Sequence, residues 1–277
     1  MRHFDENANQ LIDKFPDVDV QDLFPLFPRM SLDEFPLLEG YTWEECVDGA
    51  MGPGGLFLAS QMAEQLGICE GARVLDLGCG RARTSVFLAK HFGARVTAAD
   101  LWIDPSENWK YIVQHQMEDR VVPLRGEARN LPFADDYFDA IFCMDAFHYF
   151  GTDDFFLRYF TKFLRPNGKV CIGGPCYRTE LDDNTPKEYF HSESFAYHSP
   201  DWWKRHFEKE GFMDVIRCEA SSSGRLLWLD DTRHCLEEFT TTESSDVAKA
   251  SILQSMRMLA LDKSEFVTHF TLLAKKR

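Results

Sequence analysis

The chain has 277 residues, 44% of them hydrophobic and 27% charged, enough for one substantial core with an ordinary globular composition. Its formal net charge of −15, with Lys275-Lys276-Arg277 as the basic run, provides no stripe to meet phosphates and argues against DNA, RNA and anionic membranes as partners. No stretch is apolar enough to span a bilayer, the start Met1–Asn7 lacks a signal-peptide pattern, and the eight cysteines are scattered without a Cys-x-x-Cys pair. A cytoplasmic chain with reduced core thiols and no metal site is therefore expected.

The first segment, residues 1–55, is rich in Phe and Pro, including Phe24-Pro25-Leu26-Phe27-Pro28, so it cannot be one long helix and reads as a lid. Residues 56–277 then alternate strands and helices. Strand Arg73–Leu77 stops at Gly78-Cys79-Gly80 and turns into helix Arg83–His91; strand Arg95–Asp100 leads to a helix near Asn108–Gln116, and strand Arg120–Arg125 to a loop through Phe133. Strand Phe138–Met144 is followed by helix Asp153–Leu164, which Arg165-Pro166-Asn167-Gly168 closes before strand Lys169–Gly173. Helix Pro200–Glu210 ends at Gly211 and precedes strand Phe212–Cys218. Residues 221–263 form an insertion in which Leu227, Trp228, Leu229, Ile252, Leu253, Met256, Met258 and Leu259 recur at helical spacings. This insertion reads as a roof over the site, a dimer contact or a satellite core, and the terminal strand Glu265–Ala274 comes after it. The alternation predicts an α/β, doubly wound fold with a parallel sheet covered on both faces.

A strand that halts at glycines and turns into a helix lets a ligand approach the main chain, and the helix start offers N–H groups to acceptor atoms. Asp100 lies about 20 residues beyond the glycines, where doubly wound folds put the carboxylate that holds ribose hydroxyls. Two further ordered signals follow: Gly126-Glu127-Ala128-Arg129-Asn130-Leu131-Pro132-Phe133, and the strand that ends on Asp145. With these motifs, the chain from about Met51 to Cys218 and in its last strand resembles the class I S-adenosylmethionine-dependent methyltransferases. Within them it is similar to the small-molecule group typified by quinone-biosynthesis and phosphoethanolamine methyltransferases.

The resemblance implies a Rossmann-like, seven-stranded methyltransferase sheet with an N-terminal lid and a helical insertion before the last strand. It also implies S-adenosylmethionine as cofactor, with S-adenosylhomocysteine as product. Asp76, Gly78 and Gly80 carry over to the methionine part of the cofactor, Asp100 to the ribose, Glu127 with Ala128 to the adenine side, Leu101 to the cofactor site at large, and Asp145 to the methyl-transfer pocket. Ala82 departs from the usual third glycine, and Glu127 stands where the family more often has Asp. A nicotinamide dehydrogenase shares the glycine turn and the acid, but little chain remains to build a nicotinamide domain.

The protein must align an acceptor lone pair and, where needed, remove a proton. Asp145-Ala146-Phe147-His148-Tyr149-Phe150 offers an acid, an imidazole and a phenol. In that segment His148 is the expected general base, Asp145 an orienting acid, and Tyr149 a hydrogen-bond donor or aromatic face for a cation. Tyr177 and Arg178 follow the fifth strand and are expected to select substrate, while Tyr41 and Gly55 carry over from the lid of phosphoethanolamine-type enzymes. The expected activity is methyl transfer to a small molecule, with an amine nitrogen favoured by the acidic charge and by the resemblance. Carbon, oxygen or sulfur acceptors stay open, as do arsenic held by Cys171 and Cys176 and a noncatalytic cofactor-binding regulator.

Overall fold

The computed structural model describes residues 13, 17, 19–190, 194–241, 246–262 and 266–277. Strands β1 (Arg73–Leu77), β2 (Arg95–Asp100), β3 (Val121–Arg125), β4 (Phe138–Met144), β5 (Leu164–Tyr177), β6 (Met213–Ala220) and β7 (Val267–Lys276) form one seven-stranded sheet in the order β3-β2-β1-β4-β5-β7-β6. The central β1 and β4 are largely apolar and buried at nearly every position, as strands covered on both faces must be. The edge strand β6 alternates burial and exposure instead.

Two expectations are corrected. The sheet is mixed, because β7 runs antiparallel to both β5 and β6, with Ile172 opposite Leu272 and Cys218 opposite the same residue. Inserted between two strands, β7 is buried over its first eight residues, which accounts for its apolar sequence without fixing its direction. The second correction concerns Arg165-Pro166-Asn167-Gly168, which does not end a helix. It lies inside β5, where the register with β4 jumps from Phe138–Leu164 to Ala140–Lys169 and Asn167 takes a φ of 66°. The turn chemistry survives as a bulge.

Helices pack on both faces. Alternating side chains of β1 and β4 divide the core: Val74 and Phe142 face α2 (Gly55–Leu66), α3 (Arg83–Phe92) and α4 (Pro105–Gln114), which come after a short α1 (Trp43–Val47). Leu75 and Ile141 face α5 (Phe156–Thr161) and α6 (Pro200–Glu208), through Phe160, Trp203 and Phe207. Helix starts follow local chemistry. Asp104 caps α4 by accepting from Ser106 N at 2.8 Å, Ser199 caps α6, and a proline occupies the first position of each.

The described part of the N-terminal segment is a chain of short 3-10 turns at Val20–Asp22, Phe24–Leu26, Leu32–Glu34 and Pro36–Leu38, as its prolines dictate. The region between β6 and β7 forms helices α7 (Gly224–Thr241) and α8 (Asp246–Leu261). The two regions join. Buried Asp230 of α7 accepts from Met30 N at 2.5 Å and from Trp43 Nε1 at 2.7 Å, and Leu23 and Phe27 pack with Trp228, Leu229, Met256 and Leu259. Among the described residues no helix is long and apolar enough to cross a membrane.

Candidate functional site

A cleft of about 270 Å³ opens at the carboxyl ends of β1, β2 and β4, and its walls come from the turns after those strands and from the Gly49–Gly55 loop. The turn after β1 needs glycine. Gly78 has a φ of 73°, and a Cβ there would stand 2.4 Å from the Cβ of Ala146. The N–H groups of Gly78 and Cys79 donate to Ala99 O, so the turn is pinned to β2. Ala82 holds the left-handed conformation at φ 58°, which costs a non-glycine residue about 1–2 kcal/mol.

Gly78, Gly80, Asp100, Leu101, Glu127, Ala128, Asp145 and Tyr149 all border this one cleft. Asp100 Oδ2 accepts from Gly80 N at 2.9 Å, and its Oδ1 accepts from Trp102 N and Ile103 N at 2.8 and 3.0 Å. Three N–H groups therefore fix the carboxylate, which has about four acceptor positions and keeps capacity toward the cleft. Glu127 Oε2 accepts from Arg129 N at 2.8 Å. Trp102 is 64% exposed and meets Tyr149 edge-on at 6.0 Å between centroids, adding an aromatic wall that sequence reasoning did not single out.

Asp76 is a correction. It is fully buried away from the cleft wall, and its Oδ2 accepts from Thr84 Oγ1 and Ser85 Oγ, both at 2.6 Å. Its role here is to brace the start of α3 against β1. Burial pushes its carboxyl up to about 6, against the two hydroxyl bonds that lower it.

At the inner end of the cleft Asp145 takes a φ of 51°, with its N–H donating to Gly173 O at 2.9 Å. Gly52 and Gly54 leave room for its carboxyl, since a Cβ at Gly54 would lie 3.0 Å from Asp145 Oδ2. Among the described residues its Oδ1 is buried without a hydrogen-bond partner, and it stands 3.8 Å from His269 Nε2. Burial, then the charge of Asp231, raise the Asp145 carboxyl well above the usual range.

His148 does not fit the expected role of base. It is buried off the cleft wall, packed on Tyr149 and Tyr197, and burial together with His269 drops its pKa to about 3. The residues expected at the substrate also lie elsewhere. Tyr41 meets His91 Nε2 at 3.2 Å on the outer side of α3, Tyr177 is buried with its hydroxyl donating to Tyr189 O, and Arg178 is exposed beyond β5. Gly55 does border the cleft, and a Cβ there would strike Cys46 O at 2.6 Å. Cys171 and Cys176 belong to opposite core clusters, as residues five apart on a strand must, so they cannot hold one atom together. Among the described residues no cluster of His, Cys, Asp and Glu is suited to a metal ion.

Residues 74–168 match a family model described as a methyltransferase domain. Over those residues the chain is similar to methyltransferase domains. It is 32% identical to the methyltransferase GfsG of Streptomyces halstedii over 145 residues, 52% of each chain. To phosphoethanolamine N-methyltransferase 1 of Arabidopsis thaliana it is 25% identical, over 61% of this chain and 34% of that one. The chain thus spans about half, or about a third, of the length of these relatives. The domain also shares its fold with phosphoethanolamine N-methyltransferase 2 of Haemonchus contortus, solved with phosphomonomethylethanolamine and S-adenosylhomocysteine. That match has a TM-score of 0.68 at 20% identity and covers 95% of this chain and 61% of the other.

Proposed function

We propose that this protein transfers a methyl group from S-adenosylmethionine to a small-molecule acceptor, with an amine nitrogen favoured. The observation that carries the reading is the continuity of one cleft from Asp100, Leu101 and Ala128 to Asp145. A nucleoside end and an acid end are thereby joined without a wall between them.

The residues fit the cofactor. Asp100 has remaining acceptor capacity for ribose hydroxyls, Leu101 and Ala128 offer apolar faces to a base, and the glycine turn brings main chain to the cleft surface. When bound, S-adenosylmethionine supplies an activated methyl group. The chain's own contribution is to orient the acceptor and manage its charge. Trp102 and Tyr149 present aromatic faces suited to a cation, and Asp145 can pair with an ammonium or take a proton. Gly52 and Gly54 place the N-terminal loop against Asp145, which supports a covering role for that segment. Eight free cysteines, most of them buried, fit a reducing compartment such as the cytoplasm.

The test is calorimetric titration with S-adenosylmethionine and S-adenosylhomocysteine, followed by methyl-transfer assays on panels of amines, phenols and thiols. Transfer to amines supports the reading. Cofactor binding with no transfer to any panel favours the noncatalytic regulator.

A further inference from the structure

His269 belongs to no motif legible in the sequence, yet it faces the acid at the inner end of the cleft from the far side of the fold. It lies on β7, fully buried, opposite Pro175 of β5. Its Nδ1 is 3.2 Å from Gly224 O at the start of α7, so that nitrogen carries the ring proton. Its Nε2 is then a lone pair. That lone pair and Asp145 Oδ1 are both buried, both lack a hydrogen-bond partner among the described residues, and stand 3.8 Å apart. Two acceptors facing each other in a dry interior repel unless one proton lies between them.

We infer that Asp145 and His269 form a proton-holding couple in which His269, as a positioning residue, accepts from the protonated Asp145 carboxyl and so fits Asp145 to receive the proton that the methyl acceptor loses. The inference rests on the methyl-transfer reading of the cleft. In the step, which starts once the couple has released its own proton to solvent through the cleft, an N–H or O–H bond of the acceptor breaks, its electron pair stays on the acceptor, and the proton bonds to the ionised Asp145 carboxyl. The new O–H turns inward to His269 Nε2. The other oxygen, beside Gly54, remains on the cleft side. An acceptor that sheds a proton is what such a couple serves: a primary or secondary amine, or a hydroxyl, rather than a thioether or tertiary amine.

The protonation chemistry agrees. Burial holds His269 down at about 4 even though the carbonyls of Gly224 and Pro53 favour its charged form, so the ring stays neutral near pH 7. Asp145 moves the opposite way. The shared proton therefore resides on the carboxyl, and a hydrogen bond to the neutral acid raises its proton affinity further. The titratable groups facing the couple among the described residues are Cys143 on β4, Asp231 on α7 and His148 after β4. Asp231 raises the proton affinity of Asp145, and His269 disfavours charging of His148.

Magnetic resonance of the full chain tests this without any substrate. Imidazole 15N spectra should show His269 as the Nδ1–H tautomer, with its Nε2 resonance moving in the step in which the Asp145 carboxyl 13C signal titrates. In Asp145→Ala that movement should vanish. In His269→Phe the Asp145 midpoint should fall by about one pH unit, the tenfold that one hydrogen bond supplies. An Nε2–H tautomer in the parent, or an Asp145 titration that leaves His269 Nε2 unmoved, overturns the couple, and neither result depends on a variant folding. Calorimetry of His269→Phe with S-adenosylhomocysteine is read separately. Binding within about twofold of the parent is expected, and no binding to either protein would sink the methyl-transfer reading while leaving the spectroscopic result intact.

Discussion

Asp230 ties the N-terminal segment to α7 with a single oxygen, since Met30 N and Trp43 Nε1 both donate to Oδ1. Asp230→Ala removes that acceptor and leaves two donors without a partner, in a place where the native side chain is only 2% exposed. An orphaned buried donor costs about 1–3 kcal/mol, so the pair costs about 2–6 kcal/mol, offset in part by removal of a buried charge. At about 2–4 °C per kcal/mol for a chain of this size, the melting temperature should fall by roughly 5–15 °C. Asp230→Asn keeps one oxygen for the two donors, removes the charge and turns Oδ2 into an NH2 group. Burial, the largest influence, raises the Asp230 carboxyl from 3.8 to about 6 despite both hydrogen bonds. Its contribution to stability is therefore fully present below pH 4 and is lost as pH rises through about 6, by up to about 3 kcal/mol. Asp230→Asn should abolish that component and melt at or above the parent at pH 7.5. The assay is thermal unfolding of parent, Ala and Asn forms at pH 5 and 7.5. Equal melting temperatures for the Ala and Asn forms would refute the reasoning, because they would mean that the two donors do not depend on this oxygen.

The other expectations concern the cleft. Gly78→Ala puts a methyl 2.4 Å from Ala146 at a φ of 73°, so S-adenosylhomocysteine binding should weaken at least tenfold by calorimetry, with a lower melting temperature. Trp102→Ala removes a wall that is 64% exposed, so affinity should drop severalfold while melting stays within about 2 °C; unchanged affinity would remove Trp102 from the site. His148→Gln should leave the pH profile of any methyl transfer unchanged, because a ring held at about 3 is neutral throughout the working range. A profile that loses its acid limb, the fall in rate at low pH, in this variant would restore His148 as the base.

What was legible in the sequence was local. The limits of β1, β2 and β4 follow from apolar runs cut off by Gly78, Asp100 and Asp145, and those same residues border the cleft because strand ends and the turns after them share one edge of the sheet. Parity along a strand was legible too, and it alone separates Cys171 from Cys176. The direction of β7 was not, since a buried strand reads the same in either sense. Asp76 carries a carboxyl beside the glycines, but its orientation toward Thr84 and Ser85 is a property of the folded turn. His148 reads as an accessible base because it adjoins Asp145 and Tyr149 in the chain, and one step along the 3-10 turn at Phe147–Tyr149 carries its ring into the core instead. His269 is distant from Asp145 in sequence and reads as an ordinary core position; only the placing of β7 beside β5 brings the two within 3.8 Å.

The most direct test of the account is calorimetric titration of the full chain with S-adenosylhomocysteine, paired with Asp100→Ala. The account predicts saturable one-site binding to the parent and its loss, by at least tenfold, when the carboxylate that Gly80, Trp102 and Ile103 hold in place is removed. A folded parent that binds neither this ligand nor S-adenosylmethionine, or an Asp100→Ala protein that binds as well as the parent, would contradict it.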